Sequence, residues 1–257
     1  MNNLEDIDFH TVQHPDNRIY SLWRKSLTPH YGRAWRDIFW GYTGLITILF
    51  LSSFLRYDSP VLYIIGILTG IVLLGSVLAY LSLFLHEAGH FNLHPDKKKN
   101  DRLAAISLGF LFGTDIKSYR KIHWQHHQHL GTTSDAENSY FNAPTPFFLF
   151  ETFTGLHLFK ILRKKNDHQL LTQQMKKDSF QMLVAGALLN ALILFVFIIT
   201  KSWAAAIIWM AGMLIAFPFF ATIRQILEHR DELADQKINY HTVNHWKADA
   251  DIYFWFV

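Results

Sequence analysis

The sequence predicts an all-α integral membrane protein: four transmembrane helices in two hairpins, with cytoplasmic and interfacial helices that carry histidine clusters. Three observations predict it. Charged residues make up 18% of the 257 residues, yet they are nearly absent from four stretches and dense between them. Each stretch is close to the roughly 20 apolar residues that a helix needs to cross about 30 Å of hydrocarbon. The Lys and Arg residues also follow a topology. Residues 1–37 carry five, 86–179 thirteen and 224–257 four, while the two hairpin tips carry one each, Arg56 and Lys201. An even number of spans puts the three basic segments on one face, which the positive-inside rule makes cytoplasmic.

The elements follow in order. Residues 1–37 are polar and acidic at their start, with no apolar core, so they are not a signal peptide and read as a cytoplasmic segment. The membrane domain is expected over 38–257. Its spans are 38–55, "IFWGYTGLITILFLSSFL", and 61–85, "VLYIIGILTGIVLLGSVLAYLSLFL", then 180–200 and 202–223 with Lys201 alone between them. Pro218 is expected to free the carbonyl of Leu214 and bend the fourth helix near its end. Within the cytoplasmic insert 86–179, "RLAAISLGFLFGT" (102–114) is too short to span and lies in the interface or re-enters. The aromatic, basic-ended segment 144–165 reads as an interfacial helix. The basic runs at 97–99 and 163–165 read as a solvated positive-inside flank, or as a docking patch for an acidic electron-donor protein. The net charge of +3 follows this topology and does not argue for nucleic acid. The absence of cysteine excludes disulfides, Fe–S clusters and thiolate zinc sites.

Fifteen histidines are many for this length, and their clustering is informative. His86 and His90, in "HEAGH", share one helix face at i and i+4, about a turn past the second apolar run. His123, His126 and His127, in "HWQHH", project to one side of a helix. His229 follows the fourth span. If the spans bundle, all of these imidazoles lie at one depth on the cytoplasmic face, where they can bind borderline transition metals. "HEAGH" alone also fits the zinc-protease pattern H-E-x-x-H. That chemistry needs one further ligand, an Asp in a later span for an intramembrane enzyme, and the third and fourth spans contain none. It also leaves "HWQHH" unexplained, because six imidazoles are too many for one zinc and suit two metals. A haem-binding bundle would want histidines inside facing spans, and these spans hold none.

The order H-x-x-x-H at the end of a span, H-x-x-H-H about 33 residues later, two spans, then a histidine, resembles the membrane fatty acid desaturase and hydroxylase superfamily. The resemblance covers roughly 35–257. It implies a di-iron site of two Fe ions, O2 as co-substrate, a lipid or acyl-chain substrate, and electrons from a cytochrome b5-like or ferredoxin-like donor. The metal ligands it implies are His86, His90, His123, His126, His127 and His229. "QHLGTTSDAE" after the second box is also similar to the family, which makes Asp135 a supporting residue, and His129 is placed to orient a ligand. The family carries a further H-x-x-H-H in its C-terminal part. Here only "HTVNH", His241 and His245, is found. The expectation is a chain that stops short of that last box, unless His241 and His245 substitute for it.

The implied activity is an O2-dependent fatty acid (acyl lipid) desaturase. Alternatives are a lipid, alkane or carotenoid hydroxylase or ketolase of the same superfamily, and, apart from these, an intramembrane zinc protease. The expected location is a bacterial cytoplasmic membrane with both termini and the histidine boxes inside. His94 is read as a surface or supporting residue, and His10, His14, His30, His157 and His168 as solvated or linker residues. Glu87 is read as a solvent-facing carboxylate or a proton relay. Trp124 is read as a packing residue rather than an electron conduit.

Overall fold

A helix in lipid has no water to satisfy its backbone, so apolar stretches of this length must close their own hydrogen bonds. They do so in the computed structural model, which describes residues 29–129, 145–156, 160 and 170–229. In chain order, α1 is Tyr31–Ser52, α2 Pro60–Gly89, α3 Lys97–Ala104, α4 Phe110–Phe112, α5 Ile116–His129, α6 Pro146–Phe153, α7 Gln173–Ile199, α8 Trp203–Ala211 and α9 Phe217–His229. A π-helical turn over Ala105–Gly109 joins α3 to α4, and another over Gly212–Ala216 joins α8 to α9. No strand occurs among the described residues.

Three helices in this set are long and apolar enough to cross a membrane: Pro60–Gly89, Gln173–Ile199 and Trp203–Gln225. They contain the expected second span and all but one residue each of the expected third and fourth. The expected first span is offset. Its helix begins seven residues earlier, at Tyr31, with two polar turns, and stops at Ser52. There the hydroxyls of Ser52 and Ser53 donate to the carbonyls of Ile48 (2.6 Å) and Leu49 (3.0 Å), and residues 53–55 fall in the turn. Outward-facing Phe39, Ile46 and Phe50 on α1, Leu62, Ile65 and Leu68 on α2, and Leu188, Leu192 and Phe195 on α7 are exposed. So large a continuous apolar surface belongs in lipid rather than water.

The helix α2 is the hub, touching α1, α3, α5, α8, α9 and both π-helical turns. Its inward residues Leu74, Leu78 and Leu81 are fully buried, with Ile208 and Trp209 of α8 against the same core. Without a hydrophobic drive between helices in lipid, close packing at small residues holds such a bundle. Gly75 of α2 lies against the second π-helical turn, where an added Cβ would be 2.3 Å from the Cβ of Ala216 and 2.8 Å from its carbonyl carbon. That turn sits just before Pro218, which has no N–H to give the helical ladder, so the break expected at the proline is a widened turn upstream of it.

The short apolar piece 102–114 packs on α7. An added Cβ at Gly186 would sit 2.5 Å from the Cα of Gly113, and Asn190 Nδ2 donates to the carbonyls of Leu111 (3.1 Å) and Gly186 (2.9 Å). Gly186 and Asn190 belong to the apolar part of α7, so the piece enters the bundle beside that helix. Gly113 then adopts a left-handed φ of 63° and turns the chain into α5.

Gly75→Val is therefore expected to cost about 1–3 kcal/mol through overpacking. Gly44→Ala, whose Cβ would lie an ordinary 3.6 Å from Val77, is expected to be neutral. Thermal unfolding of the two purified variants in detergent checks the contrast.

Candidate metal centre

The site lies where α2 ends and α5 crosses it. Pro60 at the first helical position starts α2, and its last turn carries His86, with His90 at the C-cap. Asp115 Oδ2 accepts from the Ser118 amide at 2.8 Å and caps the start of α5. That helix buries Ile116, Ser118, His123 and His126.

The two helices bring four imidazoles together. The Nε2 atoms of His90, His123 and His127 form a triangle with edges of 3.0, 2.9 and 3.3 Å. His86 completes a group in which one ligand nitrogen from each residue lies within 4.8 Å of all the others. Hydrogen bonds cannot satisfy such a triangle. Each nitrogen is either a donor or an acceptor, so at least one edge joins two of the same kind. A cation resolves this, because every lone pair can point at it. Three imidazole nitrogens bound at about 2.0–2.1 Å and at right angles are about 3 Å apart, the size of the triangle found. The donor set therefore fits a transition metal.

The charge state fits as well. Burial pushes the His127 imidazole down to about 3, and His123, His90, His126 and His86 push in the same direction. It is thus neutral at physiological pH, with its lone pair available.

Neighbouring side chains orient this group. Glu87 accepts from Asn92 Nδ2 at 2.7 Å, and its other oxygen lies 3.3 Å from His86 Nδ1. A carboxylate there favours the proton on Nδ1 and leaves the His86 Nε2 lone pair for the cluster. The Glu87 side chain remains 38% exposed, so it faces solvent in part while it engages His86 and Asn92. The ring of Tyr119 stacks on that of His123 at 5.3 Å and 10°. Gly89 makes room for it, since an added Cβ would lie 3.2 Å from the Tyr119 ring.

The end of α2 is held by the second-box helix itself. Arg120 Nε donates to the Gly89 carbonyl at 2.9 Å and Nη2 to the Ala88 carbonyl at 3.0 Å. The same guanidinium grips Asp101 through Nη2 (2.5 Å) and Nη1 (3.2 Å). Buried Asn100 donates to the Ala88 carbonyl at 3.0 Å and accepts from the Leu93 amide at 3.0 Å. Phe91 follows with a left-handed φ of 63°, which costs a residue with a Cβ about 1–2 kcal/mol. Its ring is covered by Arg120 at 3.7 Å and Lys97 at 4.9 Å, a cation–π stack that offsets part of the cost.

The other candidates are placed as follows. His126 is fully buried beside the group, its ring 5.8 Å from that of His123 and 5.5 Å from that of His127, but it is not one of the four that converge. His94 lies apart, with Nδ1 accepting from the Asp96 amide at 2.9 Å. His229 ends α9; its side chain and that of His129 lie outside the described residues, as do Asp135, His241 and His245.

A profile of the fatty acid desaturase family matches residues 59–257. The chain belongs to the fatty acid desaturase family. No curated protein sequence and no solved structure matches it. Membership places the chain among the desaturase- and hydroxylase-type membrane oxidoreductases, a family that is typically di-iron and acts on lipid acyl chains. The intramembrane zinc protease is set aside on the same grounds, with a fourth converging imidazole where a catalytic zinc keeps three protein ligands and an open position. Sequence reasoning missed Arg120, Asp101, Asn100 and Asn92. All four lie between the two boxes, and their partners are distant in sequence or past a helix end, so no local signal marks them.

Arg120→Ala removes the ion-pair partner of Asp101 and the side-chain donor to the Gly89 carbonyl, while Asn100 still donates to the Ala88 carbonyl. It is expected to cost roughly 3 kcal/mol or more and to lower metal retention, with Arg120→Lys recovering part of both. Thermal unfolding and metal content after dialysis measure the two effects.

Proposed function

We propose that this protein is a membrane-bound, O2-dependent desaturase of fatty acyl chains whose histidines hold two iron ions. The observation that carries the reading is the triangle of Nε2 atoms, which hydrogen bonding cannot satisfy and a metal can. His86, His90, His123 and His127 hold one metal. His126 and His229 belong to the second, with His241 and His245 as further donors and His129 and Asp135 as supporting residues. The position of His126, next to the group of four but outside it, supports the division.

Bound there, a pair of irons supplies the O2 activation and C–H cleavage that no side chain of this sequence can perform. The protein supplies the rest. His86 is oriented by Glu87. The neutral imidazoles add no negative charge, unlike the carboxylate-rich sites of soluble helical bundles. The overall reaction fixes the other participants. Taking two hydrogens from adjacent methylenes and reducing O2 to two waters needs four electrons; the acyl chain gives two and a donor gives two. A cytochrome b5-like or ferredoxin-like protein fits that role.

The topology is part of the proposal. Four spans, with α1 as the first, leave both termini and the site on the cytoplasmic face of a single membrane domain over 38–257, where the Lys and Arg residues concentrate. The exposed apolar face of α1 supports its place in the membrane.

The test is a lipid profile by mass spectrometry of a bacterial host expressing the chain. Acyl chains lacking two hydrogens are expected with the wild type and absent with His123→Ala, which also lowers bound iron. Chains that gain one oxygen instead would make the protein a hydroxylase, and an unchanged product with His123→Ala would remove that histidine from the ligand set. Glu87→Gln keeps an acceptor for His86 and is expected to lower iron affinity about tenfold without abolishing turnover.

A further inference from the structure

The second-box helix has an outer face that the metal site does not use. Ile116, His123 and His126 of α5 are buried, while Lys117, Lys121, Trp124 and Gln128 are exposed. These four stand at i, i+4, i+7 and i+11, one stripe along the helix. Three features distinguish it from an ordinary solvated face. Trp124 is 47% exposed, although a large aromatic outside the apolar helices would normally be covered. Its ring lies 5.9 Å from that of His90, a member of the imidazole triangle. Its own helix and the adjoining α3 present positive charge, because Lys117, Lys121 and Lys97–Lys99 are exposed and Lys97 stands over Phe91 beside Arg120. Among the described residues, the acidic side chains of this region are engaged: Asp96 and Asp115 cap helices, Asp101 pairs with Arg120, and Glu87 holds Asn92.

We propose that the Lys117–Lys121–Trp124–Gln128 stripe is the docking surface for a small acidic one-electron carrier protein, with Trp124 as its point of closest approach to the metal centre. The inference rests on the O2-dependent reading above, which requires two electrons from outside. Lysines steer an acidic partner at long range, and a central aromatic supplies short-range affinity. Each encounter would pass one electron from the carrier to the iron that the imidazoles would hold, with no atom changing hands. Two encounters supply the two electrons of one turnover. An anionic lipid surface could also meet a basic face, but the stripe runs along the metal-bearing helix and its aromatic abuts a member of the triangle, which favours a redox protein.

The test uses the full chain in nanodiscs of neutral lipid, metal-free and iron-loaded, with plant-type [2Fe–2S] ferredoxin and soluble cytochrome b5 as probes. At least one carrier is expected to bind the metal-free protein, more weakly as salt rises to about 0.3 M. Lys117→Glu with Lys121→Glu should weaken binding about tenfold or more at low salt, and Trp124→Ala by a similar factor at any salt. In the iron-loaded protein both variants should slow reduction by the pre-reduced carrier and leave reduction by dithionite unchanged. The proposal is overturned if neither carrier binds, if the variants bind as the wild type does, or if they lose only affinity for anionic-lipid vesicles. Variant-sensitive binding by a chain that takes up no iron would instead count against the desaturase reading, so the two failures are separable.

Discussion

A membrane helix must give its last carbonyls to something as it leaves the lipid, and in this protein that demand organises the site. Ala88 and Gly89, at the end of α2, are capped by Arg120 of the helix that carries the second histidine box. The same turn bears His86 and His90. Terminating the span and setting the register between the two boxes are thus a single set of contacts. Favourable interaction of a cation with a helix C-terminus adds to it. Asp101 holds the guanidinium in place, and Asn100 closes the loop between the helices from below.

The consequence is a site whose stability and chemistry are opposed without a metal. Neutral imidazoles are crowded to about hydrogen-bond distance, in an arrangement that protons cannot satisfy. His127 is held neutral by burial and by its neighbours, so protons compete poorly for its lone pair. The helix that bears His86 and His90 is fixed further along its length by close packing. Leu74, Leu78 and Leu81 of α2 lie against α8 and its π-helical turn, and glycines at the contacts let the backbones approach.

Much of this was legible in the sequence, through two periodicities. Apolar length located three long helices, and the i, i+4 spacing of His86 with His90 and of His123 with His127 put each pair on one helix face. What was not legible depended on helix roll and on distant contacts. His126 is three residues from His123 and one from His127, so spacing alone puts all three on one side; only the seating of α5 decides which of them join His86 and His90 in the group of four. Past the end of α2 it is Phe91 and not a glycine that takes the left-handed conformation, while Gly89 admits Tyr119. Arg120 reaches across to a different helix, which no local pattern encodes. The start of α1 at Tyr31 escaped a reading based on hydropathy because its first two turns are polar. The link from Glu87 to Asn92 was not legible because Asn92 lies past the helix end.

The account stands on one metal position shared by two helices that the sequence keeps 33 residues apart. The most direct measurement is anomalous diffraction at the iron absorption edge from crystals of the iron-loaded protein. The expected result is an iron peak bounded by the side chains of His86, His90, His123 and His127. An iron peak elsewhere, or these four rings turned away from one another around an empty space, would contradict it.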